Sequence, residues 1–335
     1  MERREFIKSA ALAGIGALAG SGVEAQAGVV TRPESPEMPY RELGRTGERV
    51  SLIGLGGAHL GYMADEGESV ALIRAAVDHG ITFMDNSWDY NGGKSEEWMG
   101  AALRDGYRQK VFLMTKTDSH SVKGFNAQLE ESLKRLQVEM IDLVQFHEVI
   151  RMGDPEAIFA PGGALEAAVA ARKAGKIRYL GFTGHKDPAI HVHMLETAEK
   201  HGFRFDTVQM PINVMDAHFR SFQHGVMPVA QRVGTGVLAM KTFGFGDIFK
   251  ARVAEPVEML HYSMSLPVSV VITGMDSRAR LDQALTAART FKPMSESTVA
   301  ELLGRTKSAA MGGTYEQFKM STRFDGTVAR PDYLA

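Results

Sequence analysis

The chain has 335 residues, of which 44% are hydrophobic and 23% charged, a balance typical of soluble globular proteins and unlike that of disordered, collagenous or multi-span membrane proteins. Its formal net charge of -2, with no long run of either sign, gives no electrostatic case for binding nucleic acid or an anionic membrane. Because cysteine is absent, a disulfide framework, a thiol nucleophile, cysteine-ligated zinc and an iron–sulfur cluster are all excluded.

Residues 1–27 are predicted to be a targeting segment rather than part of the fold. Arg3 and Arg4 precede a weakly apolar stretch rich in alanine and glycine, and the segment ends on a small-x-small pattern, Ala25-Gln26-Ala27. This arrangement resembles a twin-arginine (Tat) signal peptide, which implies recognition by the Tat export machinery and a periplasmic or other extracytoplasmic location. The alternative is an unstructured or amphipathic N-terminus in which two arginines are adjacent by chance.

No stable membrane anchor is expected from this segment. Its apolar stretch is too short and too rich in glycine for a transmembrane helix, and a chain without cysteine has no site for lipid attachment. Residues 28–39 contain three prolines and are predicted to be a linker. The remainder, residues 40–335, is predicted to form a single domain.

Short β-branched or apolar runs alternate with longer segments of helical periodicity from residue 40 to about residue 290. Eight runs are predicted to be strands, at 51–55, 82–84, 111–115, 141–146, 177–182, 207–210, 236–240 and 268–273. The helices between and after them are predicted at 68–79, 96–104, 122–136, 163–174, 188–201, 217–233, 256–265 and 277–290. Eight strand–helix units in roughly 250 residues predict an α/β fold, the (β/α)₈ TIM barrel.

Segments at both ends of this pattern are predicted to complete the barrel. Residues 40–50 are expected to form an N-terminal hairpin across the barrel floor, and residues 292–335 a C-terminal extension packed over the barrel as a loop and short helix. The competing architecture is a doubly wound open sheet. It is disfavoured because the glycines after the first strand, Gly54, Gly56 and Gly57, lack the G-x-G-x-x-G spacing of a dinucleotide-binding turn.

Four chemically active side chains lie at or just after predicted strand ends. Asp85, Lys116 and His147 close the second, third and fourth strands, and Tyr90 follows Asp85 by five residues. The active site of such a barrel lies at the carboxyl ends of the strands, so we expect these four side chains to meet there. A nearby ammonium group is expected to lower the pKa of a tyrosine from its reference value of about 10, with a carboxylate fixing the lysine. The histidine adds a donor for a polarised carbonyl oxygen.

The sequence around these residues resembles the aldo-keto reductase superfamily over residues 40–290. The matching segments are Ile53–Gly57, Gly80–Tyr90, Ser95–Gly100, Leu113–Lys116 and Ile141–His147. The resemblance implies hydride transfer between a nicotinamide dinucleotide and a small-molecule carbonyl or sugar substrate, which is interconverted with its alcohol. It also implies catalytic roles at matching positions: Tyr90 as general acid/base, Asp85 and Lys116 as its tuning pair, and His147 as the orienter of the substrate carbonyl.

The resemblance also implies cofactor contacts at the ends of the later strands, without a Rossmann fingerprint. The candidate residues are Thr183, Gln209, Met240, Lys241, Gly274, Arg278 and Arg280. Thr183 and Gln209 match positions that hold the carboxamide, although the family's serine–asparagine pair reads Thr183-Gly184 here. Met240 stands where the family has an aromatic residue against the nicotinamide, and Lys241 is expected to reach the diphosphate.

A phosphate site is expected after the eighth strand. Gly274 precedes a predicted helix start, where backbone amides favour an anion. Arg280 aligns with the arginine that grips the 2′-phosphate in the family, and Arg278 adds charge. The family's adenine-side glutamate and asparagine are Gln283 and Ala284 here, so NADP is favoured and NAD stays possible.

Two other functions are weighed against this one. A zinc-dependent barrel hydrolase is suggested by four nearby histidines, His185, His191, His193 and His201. It is disfavoured because His191 and His193, two residues apart on a predicted helix, point in different directions, and no metal is expected. A redox-sensing nicotinamide-binding subunit with little turnover is disfavoured by the complete set of four catalytic candidates.

Overall fold

The N-terminal hairpin closes one end of the fold. The structure, a computed structural model, describes residues 29–335, so the predicted signal peptide lies outside the described residues. Strands β1 (Tyr40–Glu42) and β2 (Arg49–Ser51) pair antiparallel, as predicted. Their turn needs a glycine at position 44, because its φ is 53° and a Cβ there would lie 2.5 Å from the backbone nitrogen of Gly236.

Eight parallel strands close into a barrel in the order β10-β3-β4-β5-β6-β7-β8-β9. Their bounds are β3 (Ile53–Gly56), β4 (Phe83–Asp85), β5 (Phe112–Thr117), β6 (Ile141–Phe146), β7 (Ile177–Thr183), β8 (Thr207–Pro211), β9 (Gly236–Met240) and β10 (Val270–Gly274). The strands β5, β6 and β7 are buried at every residue, because one face fills the barrel and the other lies under helices. The predicted (β/α)₈ barrel is confirmed.

Helices surround the barrel. Their bounds are α1 (Glu66–Asp78), α2 (Lys94–Ala102), α3 (Val122–Leu136), α4 (Asp154–Phe159), α5 (Ala164–Lys173), α6 (Pro188–Lys200), α7 (Phe222–Gly225), α8 (Met227–Arg232), α9 (Pro256–Ser265), α10 (Arg278–Thr290), α11 (Glu296–Ala310), α12 (Gln317–Met320) and α13 (Gly326–Ala329). Longer 3₁₀ segments include Gly57–Tyr62, Tyr90–Gly93 and Gly244–Ala251. Within residues 29–335, no helix combines the length and apolarity needed to cross a membrane.

The continuous helix predicted at 217–233 is wrong. The structure has a 3₁₀ turn followed by the short helices α7 and α8. The Asp216 carboxylate accepts backbone N–H groups of Phe222 and Gln223 at 3.0 and 2.9 Å, and these bonds fix a new helix start. Pro228 lies in the first turn of α8, where a residue without an N–H is tolerated.

The C-terminal extension contains more helix than predicted. Instead of one short helix it includes α11, which has 15 residues, followed by the one-turn helices α12 and α13. Ser295 begins α11 by accepting the backbone N–H of Thr298 on its side chain. The extension packs over the barrel, as predicted, and it does so at the carboxyl ends of the strands.

The segment before the hairpin, predicted to be a linker, has no helix or strand in its described part, 29–39, but is fastened to the barrel floor by Arg32. The Arg32 guanidinium forms ion pairs with Glu48 at 2.5 Å and Asp142 at 2.9 Å. Both carboxylates also pair with Arg178. Nearby, Leu43 of the hairpin packs into the apolar cluster inside the barrel.

Candidate active site

Two adjoining cavities open at the carboxyl ends of the strands. The first, called the cleft, has a volume of about 240 Å³ and lies between the ends of β3, β9 and β10 and the start of α10. The second, called the chamber, has a volume of about 310 Å³ and reaches the ends of β6 and β7 and the C-terminal extension. Tyr90, Met240, Lys241 and Phe245 line both cavities. This is the face of the barrel where the sequence predicted the site.

Three of the four predicted catalytic residues form one hydrogen-bonded group. Lys116, which is 1% exposed, donates from Nζ to Asp85 Oδ1 at 2.5 Å, to the Asn86 carbonyl at 2.6 Å and to Tyr90 Oη at 3.2 Å. Asp85 ends β4 and Lys116 lies near the end of β5, and these neighbouring parallel strands bring both side chains to one edge. Tyr90 begins a 3₁₀ turn that includes Asn91 at a φ of 55°.

The titration of Tyr90 differs from the sequence expectation. Burial first, and then the charges of Asp85 and Asp89, raise the pKa of Tyr90 well above its usual value of 10.0. The expectation of a lowered pKa is wrong, because burial and the nearby carboxylates outweigh the Lys116 ammonium, which is itself paired with Asp85. The phenol therefore keeps its proton at neutral pH, as a proton donor requires.

His147, the fourth residue, is placed with its ring edge toward Tyr90, with ring centroids 5.8 Å apart. Its Nδ1 lies 2.8 Å from Asp118 Oδ1, 3.2 Å from Ser87 Oγ and 3.5 Å from Asp89 Oδ1. Burial lowers the pKa of His147, but the charges of Asp89 and Asp118 outweigh burial, so the pKa is raised above 6.5. Its Nε2 has no hydrogen bond to any described residue, and the ring lines the chamber.

Asp118 is a site residue that the sequence reasoning missed. It is 1% exposed, and burial raises its pKa to about 6. Its Oδ2 is buried without a hydrogen-bond partner among the described residues. Asp89, Asp118 and His147 each offer a ligand atom within 4.8 Å of the others, a spacing that also suits a metal ion, but the short bond to Asp118 already engages Nδ1. The only sequence signal for a role in the site is that Asp118 follows Lys116 by two residues.

The four histidines weighed as zinc ligands are not brought together. His185 Nε2 lies 2.9 Å from Asp325 Oδ1, and His193 Nε2 lies 2.6 Å from Glu156 Oε1. His191 is buried, with its ring against Phe182 and Phe222, and His201 lies against Phe159. Each of the four therefore has different neighbours, and Nδ1 of His191 has no hydrogen-bond partner among the described residues.

Most predicted cofactor residues line the two cavities. Gln209, Gly274 and Arg280 line the cleft, Thr183 lines the chamber, and Met240 and Lys241 line both. Arg278 is not among the lining residues of either cavity. Its guanidinium instead pairs with Asp282 at 3.2 Å, one helical turn along α10, with 62% of its side chain exposed.

The cleft has features that fit a nicotinamide dinucleotide. Gln209 Oε1 is buried and has no partner among the described residues, so an acceptor is available for a carboxamide N–H. At Gly274 a Cβ would lie 2.3 Å from the His59 ring, so the close backbone approach there requires glycine. The Arg280 guanidinium lies 5.2 Å from the centre of the Phe249 ring, beside the N-terminus of α10.

The C-terminal extension forms part of the chamber wall. The sequence did not predict which of its residues lie there. Glu148 accepts the backbone N–H groups of Gly326 and Thr327, both at 2.7 Å. Asp325 pairs with His185 at 2.9 Å and with Lys186 at 2.8 Å. These bonds fasten the extension so that Arg323, Phe324 and Gly326 contribute to the wall. No local sequence pattern reveals contacts across 178 residues.

Comparison with known proteins agrees with this fold. Residues 52–261 match the model of the Aldo/keto reductase family. Aldo-keto reductase YhdN of Bacillus subtilis (strain 168) is 32% identical over 213 residues, which are 58% of this chain and 59% of the relative. Protein tas of Escherichia coli (strain K12) is 29% identical over 245 residues, which are 63% of this chain and 70% of that protein.

A solved structure shares the fold. The holo form of aldo-keto reductase AKR11C1 from Bacillus halodurans superimposes with a TM-score of 0.65 over 84% of this chain and 99% of that chain. The two sequences are 22% identical. At that level of identity the likeness shows the architecture alone.

Proposed function

Because the chain belongs to the aldo/keto reductase family and is an oxidoreductase, we propose that it interconverts an aldehyde, ketone or sugar carbonyl with its alcohol, using NADP(H). We propose Tyr90 as the general acid/base. The observation that carries the proposal is the buried group in which Lys116 donates to both Asp85 and Tyr90. Such a group holds a phenolic proton at the mouth of a cavity, where a carbonyl oxygen can receive it.

The roles of the other residues follow from their positions. When bound, the nicotinamide supplies the hydride that reduces the carbonyl carbon. Gln209 and Thr183 are suited to hold its carboxamide, while His147 Nε2 donates to the carbonyl oxygen and orients it. Tyr90 Oη then gives its proton to the developing alkoxide. Lys116 stabilises the phenolate that remains, and Asp85 keeps the ammonium in place.

The preference for NADP(H) over NAD(H) is attributed to Arg280. Its guanidinium lines the cleft, and its side-chain partners among the described residues are the neutral groups of Gln283 and Phe249. The side chain therefore has charge available for a 2′-phosphate. We expect Arg280→Met to weaken NADPH binding by about tenfold or more, the value of one charge-assisted hydrogen bond, and to leave NADH binding unchanged. Fluorescence titration measures both affinities.

Arg278→Met is the matched control for that titration. Arg278 lies on the same helix turn but outside the cleft, so its loss should change NADPH affinity little. Equal NADPH and NADH affinity in the wild-type protein, or equal effects of the two substitutions, would contradict the assignment.

The reaction itself is tested with a panel of aldehydes, ketones and sugars. We expect NADPH consumption, followed by nicotinamide absorbance, with at least one carbonyl class, and NADP⁺ reduction with the corresponding alcohol. A protein that binds NADPH but turns over no member of the panel in either direction would instead be a binding subunit.

We also propose export by the Tat pathway, with cofactor acquired before export and retained. The supporting observation is the pair Arg3 and Arg4 before an apolar stretch, joined to a site that fits a dinucleotide. In the full chain, Arg3→Lys with Arg4→Lys should leave the precursor in the cytoplasm, as cell fractionation shows. Export of that variant at the wild-type level contradicts the first part. Exported protein that releases neither NADP⁺ nor NADPH on denaturation after gel filtration contradicts the second.

A further inference from the structure

Lys241 is a partly buried cation that forms no ion pair with any described residue. It follows β9 and lines both cavities, and its ammonium makes no hydrogen bond or ion pair with any described residue. Burial lowers the pKa of Lys241 to about 8, so the group is still mainly protonated at neutral pH. An ammonium held from water without an anion is unfavourable unless a ligand supplies the missing charge.

The carboxylates around Lys241 are already engaged. Asp85 pairs with Lys116, and Asp325 pairs with His185 and Lys186. Glu148 accepts two backbone N–H groups of the extension. These groups influence the Lys241 charge from a distance, but their hydrogen bonds fix them elsewhere.

Aromatic rings hold the ammonium at the chamber. Lys241 Nζ lies 5.8, 5.4 and 5.3 Å from the ring centres of Phe245, Phe318 and Phe324. Two of these rings belong to the extension that walls the chamber. The φ of Lys241 is 55°, an uncommon conformation for lysine, and the carbonyl of Lys241 accepts the Gly244 N–H at 2.9 Å within this turn.

A second cation lines the same chamber. The guanidinium of Arg323 lies 5.4 Å from the centre of the Phe324 ring, so Arg323 and Lys241 share one aromatic neighbour. Among the described residues no carboxylate forms an ion pair with Arg323. His147 and Tyr90, which face the reacting carbonyl in the proposed function, line this chamber too.

We propose that Lys241, assisted by Arg323, binds a carboxylate carried by the substrate, so that carbonyl compounds bearing a carboxylate are the preferred substrate class. This inference rests on the proposed function and deepens it. The competing source of negative charge is the diphosphate of the dinucleotide, to which sequence analysis assigned Lys241. The substrate is favoured because two of the rings beside the ammonium, Phe318 and Phe324, belong to the extension that walls the chamber, and Arg323 lines the chamber but not the cleft.

The test compares two aldehydes of nearly equal shape. 4-Carboxybenzaldehyde carries a carboxylate, and 4-formylbenzamide carries a neutral amide at the same position. With NADPH and the wild-type protein, we expect a KM for the carboxylate at least about tenfold below that for the amide, the value of one charge-assisted hydrogen bond. Lys241→Met should remove this difference by raising KM for the carboxylate more than KM for the amide. Lys250→Met is the control, because Lys250 is 70% exposed on the same loop.

A binding measurement separates this inference from the proposed reaction. Calorimetric titration of the NADP⁺-loaded protein with benzoate and with benzamide needs no turnover. We expect benzoate to bind about tenfold more tightly to the wild-type protein, and the two to bind equally to Lys241→Met. If neither aldehyde is reduced but benzoate still binds through Lys241, the proposed function fails and the anion site stands.

Two results would overturn the anion site itself. Equal affinity of the wild-type protein for benzoate and benzamide is one. The other is a loss of NADPH affinity in Lys241→Met without a change in discrimination between the aldehydes, which would assign Lys241 to the diphosphate.

Discussion

The hydrogen bond between His147 and Asp118 decides what the histidine can do. If His147 Nδ1–H donates to an ionised Asp118, then Nε2 of the neutral ring carries no proton and can only accept. Nε2 donates to a substrate only when the ring is protonated at both nitrogens. The pKa of His147 is raised, and that of Asp118 is raised to about 6. Both shifts favour the state in which the pair holds one proton more than a neutral His147 beside an ionised Asp118. Asp118 is therefore a positioning residue that keeps a donor directed at the substrate.

Removal of Asp118 should change the pH dependence of the reaction. The Asp118 charge raises the pKa of His147, so in Asp118→Ala this pKa falls and the protonated form is lost at lower pH. The limb of the kcat/KM profile that falls as pH rises should move to lower pH. At mildly alkaline pH we expect a loss of roughly 10²-fold, the lower end for a general acid.

Asp105→Ala is the control for that profile, because Asp105 is 75% exposed and pairs with Arg74. The positioning role is contradicted if Asp118→Ala lowers kcat/KM by the same factor at every pH.

The catalytic candidates at strand ends were predictable from the sequence, but the residue that positions one of them was not. Asp85, Lys116 and His147 were predictable because a barrel brings all strand ends to one face. Asp118 lies in a loop, and its contact with His147 depends on side-chain packing that spacing does not encode. The pKa of Tyr90 was predicted with the wrong sign, because burial and the paired charge of Lys116 only become known from coordinates.

A buried cation helps to join the C-terminal extension to the barrel. Lys319, fully buried, donates to Asp216 at 2.7 Å, to Glu316 at 2.9 Å and to the Phe219 carbonyl at 2.8 Å. The loop between β8 and α7 is thereby held to α12. Removal of the cation would leave two buried carboxylates uncompensated.

Lys319→Met should destabilise the protein by about 3–5 kcal/mol, the usual cost of breaking a buried ion pair from one side. Denaturant unfolding measures this free energy, with Lys307→Met on the exposed side of α11 as the control. Equal stability of the two variants would contradict a net contribution of Lys319 to the free energy of unfolding.

Glu316 should make stability fall as the pH rises. Burial raises its pKa from 4.5 to about 7, so between these values the folded state holds a proton that the unfolded state has lost. Unfolding in this range therefore releases the Glu316 proton, so the free energy of unfolding falls as the pH rises. Glu316→Gln should therefore flatten the decline of the melting temperature from pH 4.5 to about 7. An unchanged slope would contradict this assignment.

Helices were predicted correctly where apolar residues recur along one buried face. The prediction failed where a polar side chain determines where a helix begins. The helix over Val122–Leu136 was predicted with its observed bounds, since its apolar residues recur at helical spacing between Ser121 and Gln137. The helix at 217–233 was wrong because Asp216 caps a second start. Contacts of the extension form over long sequence distances, so no local signal places them.

At the scale of the whole molecule, the barrel is closed at both ends by segments outside the strand–helix repeat. The extension walls the mouth, and the hairpin with Arg32 covers the floor. The eight-fold alternation predicted the barrel, because eight buried strands with intervening helices have few other ways to bury both faces. The alternation did not predict the role of Arg32, because Arg32 acts through charge rather than periodicity.

Loss of Arg32 should weaken the floor. Arg32→Met removes one of the cations shared by Glu48 and Asp142, and we expect a cost of about 3 kcal/mol in the free energy of unfolding. Arg49→Met is the control, because its ion pair with Glu34 is exposed. Thermal unfolding of both variants checks the prediction, which fails if Arg32→Met melts no lower than Arg49→Met.

The central claim is that this chain transfers a proton from Tyr90 as it reduces a carbonyl. The direct measurement is single-turnover oxidation of bound NADPH by 4-formylbenzamide in the wild-type protein and in Tyr90→Phe, with NADPH affinity determined on both. We predict that Tyr90→Phe slows the oxidation by at least about 10²-fold while NADPH affinity is unchanged. Oxidation within a few-fold of the wild-type rate would contradict the claim.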